Sequence, residues 1–435
     1  MRVPLRSPYD REIGRLALPA LGALAAGPLY VLADTAIVGH LGTPQLAALA
    51  LAGALVATLT DLSDFLSYGT TAHVARLHGA GQAARAGGLA AQALWLAIGT
   101  GVLAALLVIA IAVPAIHLLG GTGEVAGLTV DYVRIVALGV PFVLVALAGE
   151  GYLRGVGDLR SPLVILLAAN ALNVVLEVLF VYGFGWGLDG SAWGTVIAQA
   201  VMGLAFARLM LAARADSRRP RWSRMRPLVK MGGDLTVRSL ALLGAFTLGS
   251  ALAARLGTAQ IAAHNIAFQL FLFIALVLDA IAIAGQILVG RALGAHRGDE
   301  AIAASRRMIG WSLIVGGLVM AALLAGTDLI PRAFTSDPAV LEAAHSMWPL
   351  FAIMQPAAGV IFALDGILIG AGDTRFLAVA IVAALAVYVP LALAAGTLAG
   401  IWWALLALMA VRLVTAGWRY LRRRWIVLGV SVQEA

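Results

Sequence analysis

The stretch Leu41-Gly42-Thr43-Pro44-Gln45-Leu46-Ala47-Ala48 returns as Leu256-Gly257-Thr258-Ala259-Gln260-Ile261-Ala262-Ala263, and each copy opens a long apolar run. The offset of 215 residues then holds without gaps: Asp64 maps to Asp279, Arg76 to Arg291, Pro141 to Pro356, and Gly155, Gly157, Asp158 and Arg160 to Gly370, Gly372, Asp373 and Arg375. Farther on the second copy is five residues shorter, since Gly190 and Trp193 realign with Gly400 and Trp403. A register sustained this long reads as two tandem halves. The composition says what each half is made of. The 435 residues are 62% hydrophobic and only 12% charged, with a mean hydropathy of +0.96. Soluble domains sit near half apolar and a quarter charged, so a soluble globule is excluded. The apolar runs are continuous and rich in Leu and Ala, unlike the alternating ten-residue segments of a membrane barrel. Helices of about 20 residues span a bilayer.

Read against their breakers, the runs predict twelve spans near 13–38, 45–75, 87–113, 128–152, 161–183, 190–213, 232–254, 260–291, 306–330, 345–369, 376–396 and 399–420. The expected fold is an all-α integral membrane protein. Its 12 transmembrane helices fall into two six-helix lobes: 1–213, then a basic linker 214–231, then 232–435. Six is even, so both halves cross from the same side, and a pseudo-two-fold axis along the membrane normal is expected, as in parallel-repeat transporters. All but one of the 30 basic residues are Arg, and they crowd alternate connections, both termini and the run from Arg214 to Lys230. The positive-inside rule then makes both termini and the central linker cytoplasmic. That linker is read as an orientation anchor, with anionic lipid head groups as its alternative ligand. The basic start before the first span is read as part of an uncleaved helix.

Other chemistries lack their residues. The chain has no cysteine, hence no disulfide or thiolate metal site. Its seven histidines show no metal spacing, and no phosphate loop or Ser-His-Asp grouping is present. No enzyme activity, cofactor or nucleic-acid partner is expected. Work against a gradient would have to draw on another gradient, worth about 2.3 kcal/mol per charge per 100 mV.

Charged residues inside spans cost roughly 2.5–3.5 kcal/mol on insertion scales, so each needs a partner or a purpose. Asp64 and Asp279, Glu150 and Asp365, and Asp158 and Asp373 occur in both halves. Such shared acids fit a scaffold role, capping helices or pairing with Arg76/Arg291 and Arg160/Arg375. Glu150, near a span end, is expected to reach the head groups. Two acids belong to the first half alone. Asp34 in the first span has Gly249 as its counterpart, and Glu177 falls opposite Ala392 in an uncharged segment. Asn170, Asn173 and Glu177 are spaced i, i+3, i+7 and share one helical face. Two readings stand for this group: polar bonds that specify helix packing, or a titratable site where protons, or Na⁺ with its preference for oxygen ligands, come and go. Arg238 in span 7 is an unusual buried cation, expected to pair with an acid across the central cleft or to lie at the interface.

At these residues a family resemblance becomes specific. Asp34-Thr35-Ala36-Ile37-Val38-Gly39-His40-Leu41-Gly42 with Leu46-Ala47-Ala48, Leu153-Arg154-Gly155-Val156-Gly157-Asp158, and Asn173…Glu177…Gly190-Ser191-Ala192-Trp193-Gly194-Thr195 resemble signatures of the multidrug and toxic compound extrusion (MATE) family, in its DinF-like branch. The resemblance covers about residues 10–420. It implies an antiporter of a bacterial inner membrane that exports organic, mostly cationic or amphipathic compounds in exchange for H⁺ or Na⁺, with H⁺ favoured, and that works as a monomer. It carries a cation site over to Asp34, Asn173, Glu177 and Thr195, with Tyr30, Tyr132 and Asn170 as hydrogen-bonding support. Glu177 stands where many relatives have Asp. The acids that other branches place in the second lobe have no clear match here, although Asp279 lies in span 8. Two further readings remain open here, a lipid-linked-precursor flippase of the wider superfamily and a channel.

Overall fold

The computed structural model describes residues 7–430. Among them there is no strand, and twelve helices are long and apolar enough to cross a membrane. They are α1 (Pro8–Gly39), α2 (Thr43–Gly79), α3 (Ala83–Leu118), α4 (Gly123–Val156), α5 (Arg160–Gly183), α6 (Gly187–Ala212), α7 (Trp222–Leu256), α8 (Thr258–Gly294), α9 (Gly298–Ala325), α10 (Pro338–Gly370), α11 (Thr374–Leu393) and α12 (Leu398–Leu421). The protein is a multi-pass membrane protein. Most helices overrun the apolar spans that define them: α3 extends four residues before the predicted 87–113 and five beyond it. Polar first and last turns lie outside the hydrocarbon and still complete the backbone hydrogen-bond ladder.

The chain divides into two compact units, and the duplication is visible in how each is packed. In one, α4 is the buried centre, with α2, α3 and α6 around it; in the other, α10 is the centre, with α8, α9 and α12 around it. Close approach at these centres depends on glycine. A Cβ on Gly151 of α4 would sit 2.5 Å from the Ser67 carbonyl oxygen of α2, and one on Gly366 of α10 would sit 2.2 Å from the Ala282 carbonyl oxygen of α8. Both pairs are related by the 215-residue offset. Small residues let backbones touch where lipid offers no hydrophobic drive for helices to associate.

The units are not cut where the sequence reading placed them. One comprises Gly22–Gly232; the other takes Gly233 onward together with the start of the chain through Leu21. Ion pairs explain the transfer of the first turns of α1. Asp10 accepts from the Arg307 guanidinium and from Trp311 of α9, and Glu12 pairs with Arg291 of α8. The basic segment expected as a linker between the halves is likewise part of the first unit. Gln92 of α3 donates to the Arg219 carbonyl (2.9 Å) and accepts from the Arg221 amide (2.8 Å), while Trp95 donates to the Arg218 carbonyl (3.0 Å). Asp216 and Arg224 close the strap with an ion pair of 2.8 Å.

Two further expectations change, and a third, helix capping by the shared loop acids, is met at Asp158 but not at Asp373. Arg238 pairs with an acid of its own unit, Asp365 (2.5 Å), which Arg412 of α12 also grips (2.8 Å). Glu150 does not reach toward head groups but is buried on α4, paired with Arg154, which also donates to Ser67 of α2 (3.1 Å). Asp158 caps the start of α5, accepting from the Ser161 amide (3.1 Å) and hydroxyl (2.6 Å), whereas its repeat Asp373 pairs with Arg419 (2.6 Å).

Candidate coupling site

Three features bring α1, α5 and α6 together near Asp34. Gly194 of α6 rests on α5, where a Cβ would lie 3.2 Å from both the Cγ and the backbone nitrogen of Glu177. Just past Glu177, α5 widens into a π-type turn over Leu179–Gly183, an irregularity that recurs at functional sites. Tyr182 in that turn donates its hydroxyl to the Ile37 carbonyl of α1 (2.5 Å).

The residues singled out in the sequence meet here. Glu177 is fully buried, and Asp34, Asn173 and Thr195 are each 6% exposed or less. The Thr195 hydroxyl is the hub. It donates to Glu177 Oε1 (3.4 Å) and accepts from Asn173 Nδ2 (3.3 Å) and from the Tyr30 hydroxyl (3.0 Å). Asp34 and Glu177 lie close together, and Tyr132 of α4 is buried beside them. Asn170 shares their face of α5, but its amide bonds the Ala26 carbonyl of α1 (2.8 Å) and not a carboxyl. Arg238 and Asp279 belong to the other unit, Asp279 half-buried on α8.

Ser191 is the residue the sequence reading passed over. Its hydroxyl donates to Asp34 Oδ1 (2.9 Å) from a fully buried position. The signal was available: Ser191 is four residues before Thr195 and so on the same face of α6.

Hydrogen bonding within the cluster is incomplete. Glu177 Oε2 and Asn173 Oδ1 are buried and have no hydrogen-bond partner. A buried acceptor left unmatched costs about 1–3 kcal/mol, more when charged. Two carboxyl groups and two unmatched oxygens in one apolar bundle form a site short of positive charge. Either a proton or a small hard cation would supply it.

The other unit shows what the duplication lost. The counterparts of Asp34, Asn173 and Glu177 are Gly249, Tyr388 and Ala392. Tyr388 spends its hydroxyl on the Ala245 carbonyl (2.9 Å), and Trp402, Phe351 and His264 pack an aromatic cluster around the same place. That position is apolar and carries no carboxyl.

A duplicated bundle of twelve membrane-length helices, with an acidic pocket inside only one half, is the architecture of a secondary transporter. The MatE family model matches residues 19–179 and again 235–394, once per half, and the chain belongs to this family of multidrug efflux transporters. Among its relatives is "Protein DETOXIFICATION 44, chloroplastic" of Arabidopsis thaliana, 31% identical over 94% of this chain and 81% of that protein. The "DNA damage-inducible protein F" of Escherichia coli K12 is 34% identical over 62% of this chain and 61% of that protein. The same fold is seen in a MOP superfamily transporter from Pyrococcus furiosus, with a TM-score of 0.85 at 22% identity over 96% of both chains.

Proposed function

We propose that the protein is a proton-coupled antiporter that exports organic, mostly cationic or amphipathic compounds from the cytoplasm, and that Asp34, Asn173, Glu177, Ser191 and Thr195 form its coupling site. The observation that carries the reading is the carboxyl pair of Asp34 and Glu177, buried in one unit and absent from the equivalent place in the other. Two carboxylates this close in an apolar bundle are mutually repulsive, and one shared proton relieves the pair. Protonation from outside removes charge from the cluster, favours a tighter packing of α1 on α5 and α6, and releases bound compound outward. Loss of the proton to the cytoplasm restores the charge and a binding-competent state. The basic termini and strap support a cytoplasmic side for both chain ends, in a bacterial inner membrane.

A second reading, Na⁺ as the coupling ion, has one specific observation in its favour. The unmatched Asn173 Oδ1 and Glu177 Oε2 are the kind of oxygen ligands a hard cation takes. Efflux of ethidium from proteoliposomes under a pH gradient and a Na⁺ gradient imposed separately decides between them. The proton reading expects transport under the pH gradient at zero Na⁺. Transport under the Na⁺ gradient alone contradicts it.

A further inference from the structure

One cavity touches the site and also a carboxyl that the coupling scheme leaves unused. It has a volume of about 250 Å³ and lies wholly within the first unit. On each helix its lining steps away from the cluster by whole turns. On α1 it passes from Tyr30 to Gly27 and Ala26, on α5 from Asn173 and Asn170 to Leu166, and on α6 from Thr195 to Gln199 and Met202. At the far end, on α4, stands Glu150. It lies six residues from the end of a helix whose following short connection is flanked by Arg154 and Arg160, so the cavity descends toward the side that the positive-inside rule makes cytoplasmic.

Much of the wall is apolar, but polar groups that can hold water are spaced along it: Tyr30, Thr60, Asn170, Asn173, Thr195 and Gln199. Gln199 Oε1 and Asn173 Oδ1 are both buried without a partner and both belong to the lining. A water beside polar partners needs only about 10–15 Å³ of accessible space, so the cavity has room for several along its line of polar groups.

Glu150 and its repeat Asp365 are held differently. Asp365 is gripped by two guanidiniums, Arg238 from α7 and Arg412 from α12. Two counter-charges from two other helices thus hold the Asp365 carboxylate. Glu150 has one cationic partner, Arg154, on its own helix. The groups brought toward it by its neighbours are neutral: Tyr30 from α1, Thr60 from α2, Asn170 from α5 and Gln199 from α6 line the same cavity, and Ser67 of α2 binds Arg154. One ion pair beside a wet cavity leaves a carboxylate that can accept a proton.

We infer that Glu150 is the inner proton station of the transporter: a proton leaving the Asp34–Glu177 pair crosses the cavity through water, is taken up by the Glu150 carboxylate, and passes on to the cytoplasm. Only O–H bonds break and form in this relay. The pair gains one negative charge as Glu150 loses one, and Arg154, momentarily without its counter-charge, favours onward release. The inference rests on the proton-coupled reading above.

The test uses the full-length protein in proteoliposomes, with ethidium as the transported cation and a pH-sensitive dye reporting proton movement. Glu150→Gln is expected to slow ethidium-dependent proton flux by about tenfold or more, the scale of losing a positioned proton acceptor. It should also abolish the dependence of transport on cytoplasm-facing pH and leave ethidium affinity unchanged. Because Glu150→Gln leaves Arg154 without its acid, the neutral pair Glu150→Gln/Arg154→Gln is measured beside it, and Glu150→Asp should restore the flux. Wild-type flux with wild-type pH dependence in either neutral variant overturns the assignment. Failure of the underlying reading looks different: the wild type itself would move no protons with ethidium, and both proposals would fall together.

Discussion

Substitution of Gly194 by Ala tests whether the closeness of α5 and α6 makes the coupling site. The new Cβ would lie 3.2 Å from both Glu177 Cγ and the Glu177 backbone nitrogen, short of ordinary carbon contact by a few tenths of an ångström. The two helices must separate by about that much. The site has no slack to absorb it: the Thr195–Glu177 and Asn173–Thr195 hydrogen bonds are already 3.4 and 3.3 Å long, at the outer limit of useful geometry. Losing both removes about 1 kcal/mol each, so the ordered site weakens by about 2 kcal/mol, or roughly thirtyfold in ion affinity. Global stability should hardly change, because the helix propensity gained from Gly to Ala, about 1 kcal/mol, offsets mild overpacking. The expected result is a thermal midpoint within a few degrees of wild type together with gradient-driven efflux that needs a much steeper pH gradient. A variant with unchanged stability and unchanged coupling would refute the argument that Gly194 sets the geometry. Gly194→Val, with two more methyl groups at the same contact, should lose stability as well, by about 1–3 kcal/mol.

Asp365→Asn should be among the most destabilising single changes in its unit, about 3–5 kcal/mol, because it strands the Arg238 and Arg412 guanidiniums inside the bundle; thermal unfolding in detergent checks this. The strap between α6 and α7 should respond to acid. Its Asp216 carboxyl is held below the ordinary range by the Arg224 guanidinium that donates to it, so its contribution is fully present above the ordinary carboxylate pKa and is lost as pH falls through the lowered value. The pair is partly exposed and so contributes under about 1 kcal/mol. Hydrogen exchange of the Asp216 amide, which donates to the Ala84 carbonyl (2.9 Å), should therefore differ between wild type and Asp216→Asn at neutral pH and converge in acid, once the pH has fallen below the lowered value.

Much of this architecture was legible because a bilayer imposes a simple rule: every spanning backbone must be helical and apolar. All twelve spans and the duplication follow from hydropathy and a constant offset. The buried acidic cluster was legible for a related reason. Asp34 and Glu177 are costly within lipid, so carboxyls present in only one repeat stand out, and Asn170, Asn173 and Glu177 declare a shared face by spacing alone. What stayed hidden depends on contacts that no local pattern reports. Asp10 and Arg307 lie 297 residues apart, and nothing in the basic start of the chain announces that its acids tie it to α8 and α9. Arg238 and Asp365 are 127 residues apart, and choosing an acid for Arg238 required knowing which helices are neighbours. Glu150 was misread from its distance to the span end, although the helix continues and its partner Arg154 sits one turn on. Ser191 escaped because a hydroxyl in an apolar helix costs little and can always bond its own backbone. Its importance lies only in the Asp34 carboxyl it meets.

The most direct measurement is ethidium efflux by Asp34→Asn in proteoliposomes of matched protein content, under a pH gradient with Na⁺ absent. Asparagine keeps the shape and still accepts the Ser191 hydrogen bond, but it cannot exchange a proton. Efflux against the gradient is expected to fall to the level of protein-free vesicles while ethidium still binds. Accumulation at the wild-type rate would show that Asp34 does not couple transport to protons.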